Sequence, residues 1–230
     1  MKKLFFIILI CSSLIYAQSS KNTFQNWLDF NESYSFNKQW KIFGDAGYRI
    51  IITDNTYHRI YTRPAGAFQL NSVFILHAGI ALFLTFNEGK TLRELRPFQG
   101  LVINYPKFPS FPLTQYIRFE ERFFNLDQTN TLIYRGRYQL GTKIRFDDNK
   151  SEKYYYIPLQ LEWFVNWNDK FNFRANEFRV VVGAGYVFDT TWRFEFNTIF
   201  QNLDASLEEV YSFHDIIFRF RVYKEFNTGL

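Results

Sequence analysis

LIYRGRYQLGTKIRF, residues 132–146, decides the fold. Its even positions are Leu132, Tyr134, Gly136, Tyr138, Leu140, Thr142, Ile144 and Phe146, while Arg135, Arg137, Gln139, Lys143 and Arg145 occupy odd ones. Successive side chains of a strand point to opposite faces, so an extended chain separates these sets into one face suited to hydrocarbon and one suited to water; a helix would mix them. The stretch is also long. A globular strand usually runs to about 5 or 6 residues, whereas a tilted strand needs about 9–11 to cross a bilayer.

Working outward, the alternation recurs. Trp40, Ile42, Ala46, Tyr48, Ile50 and Ile52 face away from Lys41, Asp45 and Arg49. Phe74, Leu76, Ile80, Leu82, Leu84 and Phe86 form another apolar row. Tyr155, Ile157, Leu159, Leu161, Trp163 and Val165 alternate with Gln160 and Glu162, and Phe178, Val180, Val182, Ala184, Tyr186 and Phe188 with Glu177 and Arg179. Ile216, Phe218, Phe220 and Val222 alternate with Arg219 and Arg221. Between residues 24 and 226 about eleven such segments can be drawn, separated by turn-rich breaks. Aromatic residues gather near segment ends, at Trp40, Phe86, Tyr105, Phe146, Tyr155, Phe188 and Trp192, as interfacial girdles would require.

The chain contains 29 Phe, 15 Tyr and 5 Trp, yet its mean hydropathy is slightly polar. Rings and polar groups must therefore be finely interleaved, as alternating strands make them. The expected architecture is all-β, an antiparallel transmembrane β-barrel of 10–12 strands. A soluble periplasmic lipocalin-like barrel is the alternative, with its apolar faces turned inward.

The N-terminus reads as a secretory signal: Lys2 and Lys3, an apolar run over residues 4–10, then smaller residues up to Ala17. The expected organisation is a signal peptide at 1–17, a short segment at 18–23, an outer-membrane barrel at 24–226 and a tail at 227–230. Anchoring through a lipid on Cys11 is the rival reading, disfavoured by the bulky Ile10 before it. Cys11 is the only cysteine, so the exported chain would have no disulfide, thiolate metal site or cysteine nucleophile. Loss of the leader lowers the formal charge from +5 to about +3, too mild to argue for a nucleic-acid partner.

Breaks at 37–38, 71–72 and 189–191 read as tight, and those at 53–57, 87–91, 167–170 and 202–211 as longer. Outer-membrane barrels keep short turns in the periplasm and longer loops outside, so the C-terminus is expected in the periplasm and the first strand runs inward from outside. Eleven strands is an odd number, whereas bacterial single-chain barrels have even ones. Either one segment is not a strand, or residues 18–26 cross the barrel as a strand or plug it.

Five pieces taken in order resemble an uncharacterised bacterial outer-membrane barrel family, domain-of-unknown-function family 2490: NWLDFNESYSFNKQWKIFGDAGYR (26–49), ELRPFQGL (94–101), YIRFEERF (116–123), YRGRYQLGTKIRF (134–146) and FRANEFRVVVGAGY (173–186). The resemblance implies a barrel and an outer-membrane location reached through the secretory pathway. It supplies no activity and no catalytic residues.

Opposed charges populate the inward face: Arg118, Glu120, Arg122, Arg135, Arg137, Lys143, Arg145, Glu162, Glu177, Arg179, Arg193, Glu195, Arg219 and Arg221. A cross-strand ion-pair lattice explains them, each opposite-charge pair being worth about 0.2–1 kcal/mol. An anion-favouring filter is the functional alternative. Barrels of about eight strands are filled by side chains and open porins have about 16–18, so a narrow or plugged barrel is expected. An outer-membrane lipid-modifying hydrolase would need a Ser/His pair, and the candidates are His58, His77 and His214, with Ser212 beside the last. No G-x-S-x-G elbow, metal-spaced cluster or phosphate loop accompanies them. No enzyme activity, cofactor or metal is expected. The expected partners are outer-membrane lipids and, during insertion, the barrel-assembly machinery.

Overall fold

The computed structural model describes residues 23–105, 112–126, 129–146, 151–168, 173–202 and 215–227. Their regular structure is entirely β. The strands are β1 (Thr23–Ser35), β2 (Trp40–Ile51), β3 (Asp54–Gln69), β4 (Phe74–Asn87), β5 (Lys90–Tyr105), β6 (Leu113–Leu126), β7 (Thr129–Arg145), β8 (Tyr154–Asn168), β9 (Phe173–Val187), β10 (Trp192–Asn202) and β11 (Asp215–Asn227). Each pairs with its sequence neighbours, and β1 pairs with β11 to close a barrel.

The eleven segments of the sequence are thus all strands, and the odd count has a consequence the all-antiparallel expectation missed. Each hairpin reverses direction, so an odd series leaves its first and last strands pointing the same way. Closure is accordingly parallel, from Thr23 opposite Asp215 to Ser35 opposite Asn227. Parallel pairing is slightly weaker per residue, but it removes two open edges. Residues 23–26 belong to β1, paired with β11 on one side and, from Gln25, with β2 on the other, so they are wall and not plug. Residues 18–22 and the leader lie outside the described residues.

Two mouths result. Among the described residues, the C-terminal mouth carries the connections at 36–39, 70–73 and 188–191, and the N-terminal mouth those at 52–53 and 88–89. Two breaks expected to be longer loops are two-residue hairpins instead. At 88–89 both residues have positive φ, Glu88 at 48° and Gly89 at 76°, the twist that matches a tight hairpin to its strands. The length contrast therefore does not separate the mouths as the sequence suggested.

Alternation decides the two faces. Leu28, Ile42, Leu82 and Phe196 are 54%, 50%, 49% and 50% exposed on the outside, whereas Trp27, Ala81, Phe83 and Ile217 are buried within. Outside, rings pair across neighbouring strands: Trp40 with Phe68 at 4.6 Å and Tyr155 with Tyr186 at 4.6 Å.

Candidate functional site

The barrel interior is polar, and its charges meet across strands. Lys143 of β7 reaches Glu195 of β10, 3.5 Å away, over two intervening strands. Only an inward direction permits that contact.

Five carboxylate centres organise the interior. Glu120 is fully buried; Arg135 donates through Nε at 2.7 Å, Arg118 pairs with the other oxygen, and Arg96 lies at 3.5 Å. Glu94, on the adjacent β5, receives Arg96 at 2.8 Å and Arg122 at 2.7 Å. Glu162 pairs with Arg137 at 2.6 Å and Arg179 at 3.5 Å, and Arg179 also meets Glu177. Asp29 and Asp45 lie 2.7 and 2.8 Å from the Tyr61 hydroxyl, which bridges them; its single proton serves one at a time. Arg219 holds Asp29, and Arg63 grips Asp45 with two bonds of 2.8 and 2.7 Å. Nearer the C-terminal mouth, Glu195 takes hydroxyl bonds from Tyr156 at 2.6 Å and Tyr223 at 2.9 Å. Arg221 at 3.5 Å and Arg193 at 3.9 Å complete that centre.

The fourteen residues expected on the inward face are therefore distributed over these centres, apart from Arg145. That side chain sits at the C-terminal mouth, bonded to the Ser151 carbonyl at 2.5 Å with its Cζ 3.6 Å from the Tyr154 ring centroid. Sequence reasoning put Asp45 on the polar face of its segment without assigning it to the lattice, and omitted Asp29, Tyr61, Arg63, Glu94 and Arg96. Their parity held the signal: Asp29 alternates with Leu28 and Phe30, and Glu94 and Arg96 flank the outward Leu95.

Arginines also cover rings. Phe164 is almost fully buried, with Arg135, Arg137 and Arg179 at 4.9, 5.2 and 4.7 Å from its centroid. Arg96 lies 4.2 Å from Phe83.

These side chains divide the interior into two chambers. One of about 510 Å³ opens at the C-terminal mouth and one of about 780 Å³ at the N-terminal mouth. Arg63, Arg118, Arg137, Glu162 and Arg219 line both and form the layer between them.

The histidines considered for catalysis fall apart. His58 is on the outer surface, its Nδ1 2.7 Å from the Tyr48 hydroxyl. His77 lies inside between the rings of Phe43 at 4.7 Å and Tyr116 at 5.4 Å. Ser212 and His214 lie outside the described residues. Among the described residues no group of His, Cys, Asp and Glu is placed to hold a metal ion.

A family model described as a protein of unknown function, DUF2490, matches residues 24–211. No curated protein matches the chain.

Proposed function

The chain belongs to the DUF2490 family of proteins of unknown function, and from that premise we propose that it is an outer-membrane barrel with an occluded, ion-paired interior and a water-filled vestibule at each mouth. The observation that carries this reading is the inversion of polarity across the wall. Leu28, Phe30, Ile60, Leu76, Ile80 and Leu82 stand exposed on the outside, while the guanidinium and carboxylate groups are turned in. In water each such side chain left half exposed would forgo about 1 kcal/mol of burial, and a continuous belt of them would far exceed the apolar patches that soluble monomers tolerate. Lipid reverses that sign, and a closed barrel satisfies the backbone groups that lipid cannot. A lipocalin-like carrier would need the opposite arrangement, an apolar cavity within a polar wall.

The dividing layer supports an occluded or narrowly permeable barrel over an open pore. Its members are paired and packed, and arginine cannot shed its charge to make way. A leader at 1–17 would deliver the chain through the secretory pathway, with the outer-membrane lipids as its solvent.

Single cysteines at Leu28, Leu82 and Phe196 test the membrane reading, since the natural sequence has only Cys11. In intact outer membranes they should resist a water-soluble maleimide and react once the protein is unfolded. Full reaction at all three in intact membranes would place the apolar wall in water and end the proposal.

A further inference from the structure

Arg49 of β2 and Arg59 of β3 are directly opposite each other in their antiparallel pair, and both line the larger vestibule. Like charges in that relation are destabilising. The barrel holds another opposed pair, Arg118 and Arg137 of β6 and β7. There each guanidinium has its own carboxylate, Glu120 and Glu162. Arg49 and Arg59 have none at ion-pair distance among the described residues.

Their surroundings hold the side chains without giving either an ion-pair partner, Asp29 and Glu94 attracting Arg49 and Arg59 only from farther off. Arg49 lies with its Cζ 3.8 Å from the Trp27 ring centroid and 4.7 Å from that of Tyr61, and its Nε has no hydrogen-bond acceptor. Arg59 gives its Nε to the Thr85 hydroxyl at 2.7 Å. The carboxylates on neighbouring strands are engaged elsewhere: Asp29 by Arg219, Asp45 by Arg63, and Glu94 by Arg96 and Arg122. The acids lining this vestibule are Glu162, Glu177 and Asp215. The first two carry Arg137 and Arg179, and Asp215 accepts from Thr23 and Gln201. Positive charge is thus left over at the β2–β3 wall.

We propose that Arg49 and Arg59 form a binding site for a phosphoryl anion, bound between the two guanidinium forks. Phosphate oxygens match the planar donor geometry of arginine, and an anion between the pair converts its repulsion into two attractive contacts. The chamber of about 780 Å³ admits a ligand larger than phosphate itself. Trp27, Tyr57 and Phe83 line the same chamber and offer ring surface to the rest of the molecule. The inference rests on the barrel interior and not on the membrane reading, so the two can fail separately.

Calorimetric titration of the refolded, heat-shifting barrel in non-ionic detergent tests it, with two probes: inorganic pyrophosphate as a free solute, and soluble dihexanoyl phosphatidate as a lipid headgroup. Saturable binding is expected. Arg49→Gln and Arg59→Gln, each verified as folded by its heat-shifted band, should weaken it about tenfold or more. Arg193→Gln, in the other vestibule, should leave it unchanged. Weakened pyrophosphate binding identifies a small-solute site, and weakened binding of phosphatidate alone identifies a headgroup site. Absence of saturable binding to either probe, or equal binding by both variants and the natural chain, overturns the proposal.

Discussion

Glu120 carries more of the interior than any single arginine, because three guanidinium groups converge on its two oxygens. Exchanging a buried ion pair whole for apolar groups is often neutral, but removing one partner strands the other in a medium that solvates charge poorly. Glu120→Gln keeps the shape and removes the charge, leaving Arg96 with Glu94 alone and Arg118 and Arg135 without an ion-pair partner among the described residues. A loss of about 3–5 kcal/mol is expected, read as an earlier denaturant midpoint of the heat-shifting species. Glu32→Gln, on an exposed side chain near the C-terminal mouth, should stay within about 0.5 kcal/mol. The run RFEER displays Arg118, Glu120 and Arg122 at period two, so this part of the site could be read from the sequence. The convergence of Arg96 on the same carboxylate could not, since strand register and barrel closure set it and no spacing along the chain does.

Between strands, three turns at the C-terminal mouth repeat one device. Asn37, Asn71 and Asp189 each turn a side-chain oxygen onto backbone N–H groups two and three residues on, all at 2.7–2.9 Å. The Thr191 hydroxyl and the N–H groups of Thr191 and Trp192 hold the Asp189 carboxyl below the usual carboxylate range. A depressed acid stabilises above its unfolded value and loses that contribution as pH falls through its folded one. Amide protection at Thr191 and Trp192 should therefore hold at neutral pH and fade only in acid below the ordinary aspartate range; in Asp189→Asn the fading should vanish. At the other mouth, Gly89→Ala must hold an alanine at φ 76°, which costs about 1–2 kcal/mol. Gly66→Ala, where a Cβ meets nothing within 4 Å, should cost no stability, both variants being read by their thermal midpoints. The strands were legible because the polarity of their two faces differs. Past the apolar belt that difference fades, so Asp54, Thr56, Asn87 and Lys90 read as loop although they are strand. Pairing persists there while the hydropathy signal does not.

At the scale of the whole barrel, neither the parallel seam nor the dividing layer is written in any one segment. Both follow from closure: eleven hairpin-linked strands force the first and last to run alike, and a small circumference brings Arg63, Arg118, Arg137, Glu162 and Arg219 to a common level. If that layer is the barrier between chambers, thinning it should open a path. Arg63 and Asp45 are best removed together, because deleting either alone would strand a buried charge. Arg63→Ser with Asp45→Ser leaves the Tyr61 hydroxyl its other acceptor, Asp29, and replaces a bidentate pair with two small groups. In a planar bilayer a refolded chain of residues 18–230 without these substitutions should be silent or pass small steps of anion preference, in keeping with its surplus of arginine. The double variant should pass steps several-fold larger, with the preference kept because Arg118, Arg137 and Arg219 remain. Unboiled and boiled samples on one gel certify that both proteins are folded. Equal conductance from two heat-shifting barrels would move the barrier to the centre around Glu195, where Lys143, Arg193, Arg221, Tyr156 and Tyr223 meet.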